Sequence, residues 1–221
     1  MIVENQTQKP GYIAEIGFGD GRKIGALASK HPDRFFIGFE VPSNIGKVDS
    51  FLPNLTLNNE GAFEGLTQLP CKSLSVAIMD LVLEDDFTVT QLQWFLPKAA
   101  MNEVRQCDLC GGGRRATEGI FNTWRKFCLT AVGWALKPNG RLYIHTFESD
   151  LNNILALLDE TEFTYEYRKT TREETLASTY MKSITERTEA GGKRYEGATI
   201  FSILARKKPP EKEIKYLSSS T

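Results

Sequence analysis

Cysteine is scarce in this chain, with four among 221 residues, too few and too scattered for a disulfide scaffold. Histidine is scarcer still, with two, so a Ser–His or Cys–His nucleophile finds little support. No apolar run approaches the roughly 20 residues a membrane-spanning helix needs. The opening stretch "MIVENQTQKPGYIAEIG" lacks the basic-then-apolar order of a secretion signal. A formal net charge of -1 removes any global pull towards nucleic acid or an anionic membrane, although a local basic patch would suffice for RNA. The Gly-x-x-x-x-Gly-Lys-Ser/Thr phosphate loop is also missing, which argues against a nucleoside triphosphate. From these absences we expect a soluble, cytoplasmic protein with no membrane partner and no resident metal, and with its oligomeric state open.

What is present is ordinary in bulk, 41% hydrophobic and 25% charged, and informative in order. "GYIAEIG" reads as a short buried strand running into a glycine turn. "GRKIGALASK" follows as a helix with Ile24, Leu27 and Ala28 on one face. "RFFIGFEV" predicts a second strand, "NLTLNN" a weaker third, and "SLSVAIMD" a fourth that is apolar enough to be buried on both faces. Residues 81–117 look irregular. "EGIFNTWRKFCLTAVGWALKPNG" is the clearest helix, with Phe121, Trp124, Phe127, Cys128, Ala131, Val132 and Ala135 at helical spacing. "RLYIHTF", "FTYEY" and "ATIFSILAR" complete seven strands, with the helix "ESDLNNILALLDET" between the first two of these. Such alternation predicts an α/β, Rossmann-like, seven-stranded and mostly parallel sheet, with helices on both faces and an antiparallel edge strand. The boundaries implied are one domain over residues 1–208, with 81–117 as an insertion or acceptor loop, and a disordered tail over 209–221.

The stretch "AEIGFGDGRKIGALASKHPDRFFIGFE" carries the first chemistry. Gly17, Gly19 and Gly21 would let a strand-to-helix turn bring its backbone close to a ligand. The spacing departs from the dinucleotide pattern, whose third glycine would fall on Arg22. Glu40, at the end of the second strand, stands where a carboxylate can accept hydrogen bonds from both hydroxyls of a ribose. Glu15, at the end of the first, would oppose a pyrophosphate and suit a ligand bearing an ammonium group. Together they predict a nucleoside ligand without a long phosphate chain. The plainer alternative is a Rossmann-like turn that holds nothing.

"EIGFGDGR" followed by "FIGFEV" resembles the nucleoside-binding half of class I S-adenosylmethionine-dependent methyltransferases. The resemblance implies that S-adenosyl-L-methionine is the cofactor, with the glycine turn facing its methionine portion and Glu40 its ribose. It also puts Asn59, Glu60 and Gly61, within "LNNEGAFEGL", near the adenine. Asp80, ending the fourth strand, falls where the methyl group meets its acceptor. Within that class the chain most resembles the tRNA (guanine-N7)-methyltransferases, through "EIGFGDG", "HPDRFFIGFEV" and, more loosely, "TERTEAGGKRYEGATIFSILAR". The close likeness spans about the first forty residues. It implies tRNA as partner and guanine N7 as acceptor, with Ser183 and Glu186 in the spacing of that family's substrate-binding Thr-x-x-Glu pattern.

One departure is large. After the fourth strand the family carries Asn-Phe-Pro-Asp-Pro-Trp-Pro-Lys-Lys-Arg-His, whereas this chain has "MDLVLEDDFTVTQLQWFLPKAA". Glu84, Asp85 and Asp86 lie nearby but out of register. For guanine N7, which has a free lone pair, proximity and alignment suffice. For an amine or hydroxyl acceptor a general base is required, and Glu84, Asp85 or Asp86 could serve; Asp80, Glu84 and Asp85 are the catalytic candidates. A small-molecule or protein acceptor is therefore the alternative, and a non-catalytic cofactor-binding module that engages RNA is a third reading.

Other features have bland readings beside sharper ones. "CDLC" places Cys107 and Cys110 as half a zinc site without a second pair, so a surface turn is preferred. Cys128 reads as core. Arg114, Arg115, Arg125 and Lys126 form either a basic patch or a solvated surface, and the neutral net charge favours the latter. Both histidines, His31 after the first helix and His145 in the fifth strand, read as structural, His145 less firmly because its strand points at the ligand crevice.

Overall fold

A computed structural model describes residues 11–19, 21–40, 52–80, 114–171 and 199–209. Its strands are β1 (Tyr12–Ile16), β2 (Phe36–Phe39), β3 (Leu55–Asn58), β4 (Leu74–Asp80), β5 (Leu136–Phe147), β6 (Phe163–Lys169) and β7 (Ile200–Lys207). Its helices are α1 (Arg22–Lys30), α2 (Ala62–Gln68), α3 (Arg114–Ala135) and α4 (Glu148–Asp159). The strands form one sheet in the order β3-β2-β1-β4-β5-β7-β6. The pairs from β3 through β5 are parallel, and β7 runs antiparallel to both β5 and β6. The expected antiparallel strand is thus β7, set one place in from the edge, and it leaves β6 on the edge parallel to β5.

Alternation along the strands sorts the core into two layers. Ala14, Ile16, Phe39, Ala77, Met79, Leu142 and Ile144 join Leu66 of α2, the buried stripe of α3 and Leu151, Ile154 and Leu158 of α4 in one cluster. Phe36, with Ile13, Leu55 and Leu57 packed around it, meets Phe18, Ile24 and Ala28 on the other side. So α1 covers one face of the sheet and α2, α3 and α4 the opposite one.

Three local expectations change. Residues 114–117, read as irregular, belong to the first turn of α3. Phe127, placed on the apolar stripe, is exposed, because it flanks the arc that buries Trp124, Cys128, Ala131, Val132 and Ala135. Arg125 is no part of a surface patch. It is fully buried and donates to Asp150 at 2.8 Å, tying α3 to the first turn of α4. Lys126 pairs with Glu160 at the surface. Cys128 is buried in the core, and His31 caps the C-terminus of α1, as the sequence suggests. Cys107 and Cys110 lie outside the described residues.

Helix α2 has no counterpart among the expected elements, and its residues "AFEGLTQ" include a glycine that a helix interior disfavours by roughly 1 kcal/mol. The reason for Gly65 is close approach: a Cβ there would run into the Phe39 ring, which is itself buried in β2. Phe39 immediately precedes Glu40, so this contact sets how firmly the end of β2 is held. Gly65→Ala should lower unfolding free energy by about 2 kcal/mol, because overpacking a rigid ring outweighs the gain in helix propensity. Urea denaturation reads this out, and an unchanged midpoint would mean that α2 does not rest on Phe39.

Candidate functional site

The C-terminal ends of β1, β2 and β4 meet the start of α1 at one edge of the sheet. Gly17, Gly19 and Gly21 have φ of 74°, 58° and 72°, a left-handed conformation that side-chain-bearing residues adopt only at a cost. Three such residues in five reverse the chain from β1 into α1. Their N–H groups are used within the protein. Gly17 donates to the Phe39 carbonyl at 2.7 Å and Gly21 to that of Phe18 at 3.0 Å. Gly19 donates to Oε2 of Glu40 at 2.8 Å. The N–H groups of these three glycines are therefore directed into the protein. Among the described residues, no atom lies within 4 Å of where a Cβ on Gly19 would stand.

Glu40 is buried, with 4% exposure, and its carboxylate braces the turn from the end of β2. Asn59 is exposed and Glu60 half-buried just beyond β3, with Gly61 leading into α2. Glu84, Asp85, Ser183 and Glu186 lie outside the described residues.

Beside the turn sits a charge cluster. Glu15 and Asp80, at the ends of β1 and β4, are 3% and 6% exposed. Lys23, in the first turn of α1, reaches between them. Its ammonium lies 3.4 Å from Oε1 of Glu15 and donates to Oδ2 of Asp80. On the far side, Oδ1 of Asp80 is 2.6 Å from Nδ1 of His145. Burial alone would push the Asp80 carboxyl up, but the His145 hydrogen bond and the Lys23 charge bring it down to about 2. Burial likewise opposes the Lys23 charge, and the two carboxylates reverse the effect and raise its pKa.

Of the residues gathered here, the sequence singles out Glu15, Glu40 and Asp80 but not Lys23, and it reads His145 as structural. For Lys23 a signal existed. Arg22 and Lys23 open α1 with two cations and no acid, at the helix end whose dipole disfavours positive charge. A lysine held there calls for carboxylates nearby.

No family model matches the chain. A 74-residue portion, 30% of the chain, is 38% identical to a tRNA (guanine-N(7)-)-methyltransferase from Hydrogenovibrio crunogenus. The chain spans about a third of that relative's length, since 31% of it is matched. Among solved structures, a mutant of the 16S rRNA (adenine(1408)-N(1))-methyltransferase from Catenulisporales acidiphilia, with its cosubstrate SAM, superposes with a TM-score of 0.53 at 13% identity. That alignment covers 91% of this chain and 87% of the other. Haemonchus contortus phosphoethanolamine N-methyltransferase 2, bound to phosphomonomethylethanolamine and S-adenosylhomocysteine, gives 0.53 at 14% identity over 93% of this chain and 50% of that one. The chain has the Rossmann-like fold of class I methyltransferases. At these identities the likeness establishes the fold alone.

Lys23→Met would leave two buried carboxylates without their shared cation. Asp80 titrates at about 2 in the folded protein against 3.8 when free, so its ionised form contributes stability above pH 4 that is lost as pH falls towards 2. The variant should be destabilised by about 2 kcal/mol at pH 7, with the deficit shrinking at pH 3. Urea melts at the two pH values give the comparison, and a deficit independent of pH would show that the cluster is not what Lys23 serves.

Proposed function

We propose that this chain is an S-adenosyl-L-methionine-dependent methyltransferase. The observation that carries the reading is the pairing of Glu40 with the glycine turn: a buried carboxylate at the end of β2, hydrogen-bonded to Gly19, beside a turn whose other glycine N–H groups are already satisfied. That edge suits a ribose and gives no cradle to a pyrophosphate. The buried carboxylates Glu15, Glu40 and Asp80 gather at this edge, a setting that suits a cationic ligand such as a sulfonium.

In this reading Gly17, Gly19 and Gly21 shape the turn against the methionine portion, Glu15 favours its ammonium group, and Glu40 accepts from the ribose. Asn59 and Glu60 flank the adenine side, while Asp80 stands where the methyl group leaves. When bound, the cofactor supplies an activated methyl carbon on a good leaving group. The chain's own task is then alignment, and handling of any proton the acceptor sheds.

For the acceptor, guanine N7 of tRNA is supported by the 74-residue match and by the resemblance of the glycine and Glu40 segments. Ser183 and Glu186 would contact the guanine, and Glu84 and Asp85 would line the acceptor side. A second reading, a small-molecule or protein acceptor, is favoured by the Asp80–His145 pair, because an imidazole oriented by a carboxylate is superfluous to a lone-pair nucleophile.

Calorimetry with S-adenosylmethionine should give saturable binding that Glu40→Ala weakens by tenfold or more, in keeping with a lost hydrogen bond to a charged group. Glu40→Gln, which can still accept from Gly19, separates bracing of the turn from contact with the ribose. Undiminished affinity in both variants would overturn the cofactor assignment. Incubation with methyl-labelled cofactor and tRNA lacking N7-methylguanine, followed by nucleoside separation, then tests the acceptor, and label in N7-methylguanosine is the outcome the tRNA reading requires.

A further inference from the structure

Cross-strand register lines up a polar row on the sheet near its functional edge. Arg168 of β6 stands opposite Ser202 of β7, Ser202 opposite His145 of β5, and His145 opposite Asp80 of β4. Directly paired residues share a face. One step further into the sheet, Glu166, Leu204 and Tyr143 form the next row of that face. These six β5, β6 and β7 residues border a hollow of about 640 Å³, within the roughly 300–1,000 Å³ usual for ligand sites. Their neighbours Leu142 and Ile144 point the other way, into the core. His145 is therefore not a core histidine. Its side chain keeps 25% exposure, while that of Asp80 keeps 5%.

Both Asp80 oxygens are engaged, Oδ2 by Lys23 and Oδ1 by His145, so the carboxylate is fixed on two sides. Against an ionised carboxylate, Nδ1 of a neutral imidazole must be the protonated nitrogen. The lone pair then resides on Nε2, which makes no hydrogen bond among the described residues. Buried carboxylate, oriented imidazole and adjoining hollow are the parts of a general base.

We propose that His145, oriented by Asp80, is the proton acceptor of the transfer reaction, and that the methyl acceptor is a group carrying an N–H or O–H, seated in the hollow over β5, β7 and β6. The inference rests on the methyltransferase reading and replaces guanine N7 as its acceptor atom. In the step, the acceptor's lone pair forms the new bond to the methyl carbon. The electrons of the broken carbon–sulfur bond stay on sulfur, which becomes a neutral thioether. The acceptor's proton passes to Nε2, and the imidazolium, stabilised by Asp80, later returns it to water. Lys23, on the opposite oxygen of Asp80, keeps that carboxylate ionised and in place. It is a positioning residue.

Among the described residues, the charged and titratable groups around His145 are Asp80 from β4, Lys23 from α1, Glu15 from β1, Tyr143 on its own strand, and Glu166 and Arg168 from β6. A chain with two histidines suits a direct test. In protein labelled with ¹⁵N-histidine, His145→Gln assigns the His145 signals. The expected pattern at pH 8 is a protonated Nδ1 and a bare Nε2, with the preference lost in Asp80→Asn. The reverse tautomer in the wild-type protein overturns the proposal.

Turnover with methyl-labelled cofactor is then measured on unmodified tRNA, free nucleosides, primary amines and phenols. Label should enter an N–H or O–H position. His145→Gln should lower kcat by about 10²–10⁴-fold, with cofactor affinity unchanged. Label at guanine N7, undiminished in His145→Gln, overturns this inference and leaves the methyltransferase reading intact. No label on any acceptor, from protein that binds the cofactor, also overturns it. Absence of cofactor binding in the wild-type protein is instead the failure of the underlying reading.

Discussion

The interaction on which the edge of this sheet depends is the lysine ammonium held between two buried carboxylates. Glu15 and Asp80 end adjacent strands, and two anions removed from water side by side would repel each other and resist ionisation. Lys23 resolves the conflict from a third element, α1. The same contact fixes the helix against the strands, holds Asp80 ionised and turns the second Asp80 oxygen towards His145. Glycine turn, helix start and strand ends are thereby coupled through one cation.

What the sequence discloses best is what local sterics control. Gly17, Gly19 and Gly21 are legible because three left-handed residues in one turn leave few other choices. The strand-helix alternation is legible because each element writes its own period, and Glu40 because it directly follows an apolar strand. Less accessible is anything decided by which strands become neighbours. Asp80 and His145 are remote in the chain, and only the parallel β4–β5 register sets them opposite each other. A period of two says that His145 faces away from Leu142 and Ile144, not that a carboxylate awaits it. Helix α2 is hidden for a related reason, since its glycine is explained by a ring in another element, Phe39. Phe127 shows the converse error, in which an apolar residue beside a stripe is counted into it.

The glycine turn also illustrates why a motif read alone can mislead about chemistry. Its glycine N–H groups are not offered outward; each closes a bond within the fold, one of them to Glu40. On the proposed function, the specificity of such a turn would reside in the carboxylates that border it. The same fold supports more than one acceptor chemistry, so the distinction between a bare lone pair and a proton-bearing group has to come from side chains. On the reading proposed above, the Asp80–His145 pair is where this chain would make that distinction.

The position of β7 has a consequence for the order in which the molecule can be assembled. β7 follows β6 in the chain yet separates β6 from β5. A ribosome that has released β6 has therefore produced a strand with no neighbour to join, and the half-sheet that borders the hollow must wait for Ile200–Lys207. Until then β5 presents an open edge on the side that will carry Ser202. Completion of that wall is late and long-range, the kind of step that tends to slow folding and to expose unpaired strand to other chains.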